Sequence, residues 1–255
     1  MRFLDGLTIK HEKLENAMYT PSELVARTGH FGGTDLVQQR GTAAELAQIC
    51  QAWGAALATL HNTATHGSPA PLAARPWVIN PEHRTISLRR SLPGLGYAAV
   101  LRAYESSADL RAAAREVDER WTELHWIHGN LNVSNVLVDH LPALRVSFID
   151  PDAVGLGDPA WDLASALDMI VWLAPRWHAM PQQLGDYLLL GYRRAGGPGR
   201  LYPAIQAVRA LATALWVADS APASAGEELV EAEPAWWLDR ARAYAARVGF
   251  LMAVA

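Results

Sequence analysis

With one cysteine, Cys50, the sequence cannot close an internal disulfide, so its fold does not depend on an oxidising compartment. Lysine is nearly absent as well: Lys10 and Lys13 are the two among 255 residues, and arginine carries the rest of the positive charge. Any lysine that grips a phosphate would have to be one of those two. There is no basic excess, since the formal charge is −4 and the isoelectric point is near 6.1, which argues against a nucleic-acid partner. Long apolar runs are missing. The stretch Leu167 to Leu173 is interrupted by Asp168 and followed by Pro175, far short of the roughly 20 residues that span a bilayer. The start, MRFLDGLTIKHEK, spreads its charges and lacks the apolar core of an export signal, so the expected location is cytoplasmic, with no membrane partner. Internal repeats and low-complexity tracts do not occur.

What is present is a globular composition, with 51% apolar residues and ten tryptophans, enough to bury a sizeable core. Thr42 and Glu45 have the spacing of a capping box, and Leu46, Ile49, Trp53, Leu57 and Leu60 follow at steps of three and four. That pattern predicts a helix ending near His61, with Cys50 on its apolar stripe as a buried structural thiol. The Gly, Pro, Ser and Ala-rich segment 62–81 predicts a loop. Helical periodicity returns over 96–120 in two pieces, with a cap at Ser106 or Ser107. Val136 to Val138 and Leu144 to Ile149 then predict a β-hairpin, followed by a loop from Asp150 to Gly157. Asp158 and Pro159 have the signature of a helix start, with the helix running to about Leu173. Further helices are predicted over 181–195, 201–220 and 227–254, the last kinked or split at Pro234.

Chemistry concentrates in residues 128–162. His128, Asn130, Asn132, Asn135, Asp150, Asp152, Asp158 and Asp162 surround one hairpin and its flanking loops. Asn135 just precedes the first strand and Asp150 just follows the second, so antiparallel pairing would bring both to one end of the hairpin. Oxygen-only donors of this kind suit Mg²⁺ bound to phosphate. The competing account is that Asn and Asp are ordinary turn residues. Helix capping accounts for Asp158, and a dipole or supporting role suits Asp162 at least as well as chemistry. His128 has a structural reading beside its catalytic one.

The paired stretches HGNLNVSNVLV and FIDPDAVGLGDPAWDLA resemble the motifs HGDxxxxN and IDxxxxxxGDPxxDLA of the aminoglycoside phosphotransferase and choline-kinase-like family. The helix ending in LATLH is similar to the family helix that closes in a leucine-histidine pair. The resemblance extends from about Ala44 to Arg194. It implies an α+β, mainly helical fold, the C-terminal lobe of a protein-kinase-like fold, with Asn135 and Asp150 holding Mg²⁺ on the phosphates of ATP. It also implies that His128 and Gly129 shape the catalytic loop. Where the family carries an aspartate that takes the substrate's proton, this chain carries Asn130. An amide can accept a hydrogen bond there but cannot take the proton.

Residues 1–41 are expected to be a remnant of the N-terminal lobe or a linker, too few for that lobe in full, and 42–255 the helical lobe with its hairpin at 128–150. In the short segment Lys10 could stand for the family's phosphate lysine and Glu23 for its partner, while Gly32 and Gly33 fit either a glycine-rich turn or a linker. Two functions follow from the resemblance. One is a degenerate, pseudokinase-like binding or accessory subunit, serving a partner enzyme or peptide in a biosynthetic pathway or pairing with a second copy of itself through the uncovered face of the lobe. The other is an active ATP- and Mg²⁺-dependent phosphotransferase acting on a hydroxyl of a small molecule, such as an aminoglycoside, or of a peptide.

Overall fold

The structure, a computed structural model, describes residues 30–32, 42–64, 75–79, 95–139, 144–220 and 234–254. In chain order these form β1 (His30–Gly32), α1 (Ala43–His61), α2 (Leu95–Ser106), α3 (Ala108–Arg120), β2 (His125–Ile127), β3 (Val136–Asp139), β4 (Arg145–Phe148), β5 (Gly155–Gly157), α4 (Pro159–Leu173), α5 (Pro181–Arg194), α6 (Pro203–Ser220) and α7 (Pro234–Val254), with short 3-10 turns between some of them. The fold is α+β and mainly helical. Among the described residues no helix is long and apolar enough to cross a membrane.

The described residues divide into two compact units: one holds those up to 64 together with 123–199, the other 75–122 with those from 200 onward. In the first unit α1 begins at a complete capping box. The Glu45 N–H donates to Thr42 Oγ1 at 3.2 Å, and the Thr42 N–H donates to Glu45 Oε2 at 2.7 Å. The helix buries Leu46, Ile49, Cys50, Trp53 and Leu57. It packs against α5 at backbone distance: a Cβ on Gly54 would lie 2.0 Å from the Leu188 carbonyl oxygen, and one on Gly191 2.0 Å from that of Gln51. Such an approach brings residues near the ends of both helices into a common interior. The strands form two small sheets. β3 and β4 make the hairpin, in the register Val136 opposite Phe148, with β1 added antiparallel to β3. β2 pairs antiparallel with β5.

The second unit packs α6 against α7, α3 and α2. It buries Leu110, Val117, Ile205, Leu211 and Trp237. The Arg120 guanidinium lies 3.8 Å from the centre of the Tyr202 ring.

Three sequence expectations need correction. The stretch Asp150 to Gly157 is not one loop, because Pro151–Ala153 forms a 3-10 turn and Gly155–Gly157 a strand. A three-residue Gly-Leu-Gly strand has no alternating pattern to detect, and its partner β2 is equally short. Pro234 begins α7 instead of kinking it, as suits a residue with fixed φ and no N–H at the first helical position; positions 227–233 lie outside the described residues. Gly32 belongs to strand β1, not to a linker turn, while Gly33, Lys10 and Glu23 lie outside the described residues. Elsewhere the hairpin, the Ser107 cap and the Asp158 helix start stand where the sequence puts them.

Candidate active site

The loop of residues 128–135 leaves β2 and enters β3, and the first turn of α4 holds its beginning. Pairing of β2 with β5 sets Ile127 opposite Gly155, which lays the turn before β5 against the loop, and α4, which starts after β5, comes back to the loop with its first turn. Asp158 caps that helix, its Oδ1 accepting the Ala160 N–H at 2.9 Å. One turn in, Asp162 accepts the His128 N–H on Oδ2 at 2.6 Å and the Gly129 N–H on Oδ1 at 3.1 Å. The Trp161 indole N–H donates to the Gly129 carbonyl at 2.9 Å. Gly129 has φ +77°, and a Cβ there would meet the Ala153 carbonyl oxygen at 2.4 Å. Only glycine satisfies both conditions.

Beyond Gly129 the loop is tied by asparagines. Asn132 Oδ1 accepts the Ser134 N–H at 2.9 Å, and Asn135 Nδ2 donates to the Asn130 carbonyl at 2.9 Å. Ile149 is held from both sides: its N–H donates to the Asn135 carbonyl at 3.1 Å, and its carbonyl accepts from His128 Nε2 at 2.8 Å. The His128 ring also meets Phe148 edge-on, with centroids 6.0 Å apart, and its Nδ1 has no partner among the described residues. With Asn135 beside Ile149, the next residue, Asp150, falls at the same end of the hairpin. Asp150 is exposed and left-handed, at φ 59°. Asn130 is exposed at the tip of the loop.

A buried chain of hydrogen bonds supports the carboxylate of Asp162 from behind. The Gly199 N–H donates to the Tyr192 hydroxyl at 2.9 Å, which lies 2.7 Å from His61 Nδ1, and His61 Nε2 lies 3.2 Å from Asp162 Oδ2. A carboxylate only accepts, so Nε2 carries a proton, and in the neutral imidazole Nδ1 accepts from the tyrosine. Burial acts to raise the pKa of Asp162, but the hydrogen bond and electrostatic attraction of the His61 ring, with the attraction and backbone N–H of His128, outweigh it and hold the carboxyl below its ordinary value. Burial pushes the Tyr192 hydroxyl upward, so it stays protonated as a donor.

The donors near the hairpin end fit a magnesium ion by their chemistry. The hydrogen bond from Asn135 Nδ2 directs the amide so that Oδ1 is its remaining acceptor, touched by Ser134 Oγ at 3.5 Å. Among the described residues no three His, Cys, Asp or Glu side chains converge on a metal position. An ion there would draw further ligands from phosphate and water, as magnesium does. Sequence reasoning gave Asp162 a supporting role but missed Tyr192 altogether, because a tyrosine at a helix end carries no local signal. His61 was visible only as the end of the LATLH helix.

The sequence model of the phosphotransferase enzyme family (APH) matches residues 24–211. The chain belongs to that family. Among solved structures it is similar to a choline/ethanolamine kinase family protein from Mesorhizobium loti, at 18% identity and a TM-score of 0.47, covering 81% of this chain and 66% of the other. It is also similar to the choline kinase LicA from Streptococcus pneumoniae, at 15% identity and a TM-score of 0.47, covering 82% and 67%. The chain thus spans about two thirds of the length of each. No curated protein matches it by sequence.

Proposed function

We propose that this phosphotransferase-family chain is a degenerate, pseudokinase-like member that keeps the magnesium and nucleotide half of its site and works as a binding or accessory subunit. The observation that carries the reading is the contrast at the loop. Asn130, which the resemblance puts in the place of the base, is an exposed amide, whereas Asn135 is bonded through its carbonyl to Ile149, the neighbour of Asp150, at the hairpin end. Asn135 Oδ1 and the Asp150 carboxylate would hold Mg²⁺, and His128 would shape the loop through Ile149. Bound magnesium would neutralise charge on the ATP phosphates. Lys10 is the candidate for a phosphate contact from the amino-terminal segment. The partner would be an enzyme or peptide of a biosynthetic pathway, or a second copy of the chain, and the buried free thiol of Cys50 fits a reducing, cytoplasmic setting.

A second reading is an active phosphotransferase acting on a hydroxyl of a small molecule or peptide. The fully hydrogen-bonded anchoring of His128 and Gly129 by Asp162 favours it, since a loop without function has no need of such support. Lacking a general base, its rate would fall by roughly 10² to 10⁴.

Thermal unfolding with ATP and Mg²⁺ tests both. A ligand at about 100 times its Kd adds roughly 2.7 kcal/mol, so a magnesium-dependent rise in Tm is expected, and Asp150→Ala should abolish it. No shift removes the nucleotide half of the proposal. Turnover of ATP with a hydroxyl acceptor favours the second reading over the first.

A further inference from the structure

The loop of residues 128–135 has no exposed side chain that takes up a proton: its one basic atom, His128 Nδ1, is buried and without a partner among the described residues. His128 is 2% exposed, its Nε2 donates to Ile149 and its ring packs edge-on against Phe148, so it neither faces solvent nor turns freely. The nearest buried carboxylate, Asp162, is fully enclosed, with both oxygens engaged by N–H groups of His61, His128 and Gly129. Asn132 gives its Oδ1 to Ser134, and Asn135 turns its Nδ2 onto the Asn130 carbonyl. Among these residues Asn130 alone is exposed with a polar side chain engaged by no described residue. Its amide donates and accepts but does not ionise.

A hydroxyl must lose its proton as it attacks phosphorus, whereas a carboxylate arrives without one. We infer that the acceptor at this site is a carboxylate, oriented by the amide N–H groups of Asn130, and that the product is an acyl phosphate. The inference rests on the magnesium and nucleotide half of the function proposed above and replaces its non-catalytic half. In the transfer, a carboxylate oxygen forms a bond to the terminal phosphorus of a nucleoside triphosphate. The bond from that phosphorus to its bridging oxygen breaks, the electron pair leaves with the nucleoside diphosphate, and no proton moves. Charge points the same way. An aspartate at position 130 would repel an incoming carboxylate, while an amide N–H attracts it. Asp150, the exposed carboxylate nearby in sequence, lies beside Asn135 at the hairpin end, where magnesium would neutralise it.

The experiment uses the full chain and reads binding and chemistry separately. With MgADP present, the side-chain amide resonance of Asn130 is followed while an N-acetylated peptide with a free C-terminal carboxylate is added, and again with its C-terminal amide. The carboxylate form is expected to move the resonance and the amide form to leave it in place; an equal response to both overturns the inference. With MgATP, the same peptide and acetate are incubated with hydroxylamine, which traps an acyl phosphate as the hydroxamate. Carboxylate-dependent hydroxamate is expected from the native chain, at least tenfold less from Asn130→Asp, together with a gain of transfer to ethanol or a serine peptide in that variant. MgADP binding without any carboxylate response, or faster transfer to the hydroxyl acceptors by the native chain, overturns the inference alone. Absence of a thermal shift with MgADP overturns it together with the reading on which it rests.

Discussion

His61 and Asp162, 101 residues apart in sequence, meet with both side chains fully buried, Nε2 of the first 3.2 Å from Oδ2 of the second. The end of α1 thereby braces the carboxylate that anchors the loop at His128 and Gly129. Tyr192 extends the brace to α5.

Asp162→Asn replaces a group that only accepts with one that also donates, facing three N–H groups. A loss of about 1.5–3 kcal/mol is expected, the range for hydrogen bonds to a charged group. The pH dependence follows from the depressed carboxyl. Its folded pKa lies below the ordinary 3.8, so its contribution is complete above the unfolded value and fades as pH falls through the lower folded one. Denaturant titrations from neutral pH downward should show native stability falling below about pH 4, with that part of the fall missing in the variant. Parallel curves would remove Asp162 from the acid limb.

Tyr192→Phe leaves the buried His61 Nδ1 without its donor and the part-buried Gly199 N–H without its acceptor. The expected cost is about 1–3 kcal/mol, as for a buried polar group left unpaired. Hydrogen exchange gives the sharper readout. The amides of His128 and Gly129 should lose more protection than those of α1 if the brace acts on the loop, and a uniform loss would mean it does not.

Gly129→Ala combines a left-handed backbone with a Cβ 2.4 Å from the Ala153 carbonyl oxygen. The left-handed conformation alone costs roughly 1–2 kcal/mol for an L-residue, and the overlap adds to it. Thermal unfolding should show a loss above about 2 kcal/mol, accompanied by loss of any MgATP-dependent shift. Near-native stability would show that the loop can relax past Ala153.

Cys50 is buried, and burial pushes its thiol up to about 12. The thiolate is therefore withheld at ordinary pH, and a thiol reagent at pH 8 should label the native protein far more slowly than the unfolded chain. Rapid native labelling would mean that α1 opens locally.

The hairpin and most helices were legible in the chain because their signals are local. A capping box at Thr42 and Glu45, Asp158 before Pro159, and apolar steps of three and four each report a conformation within a few residues. The motifs carrying Asn135 and Asp150 were legible for the same reason, since a hairpin's register makes near neighbours of residues flanking its strands. The strands β2 and β5 escaped because three residues, two of them glycine in β5, are too few to alternate.

By itself, then, the sequence determined the family, the amide at Asn130 and the place of the hairpin in the chain, all of which depend on residue identity and short spacing. Only the tertiary structure decided that Asp162 is a buried anchor and that His61 and Tyr192 stand behind it. Their contact depends on α1 and α5 approaching through Gly54 and Gly191 until side chains 131 positions apart share one hydrogen bond. No local pattern encodes such an encounter, because it is selected by the packing of whole helices.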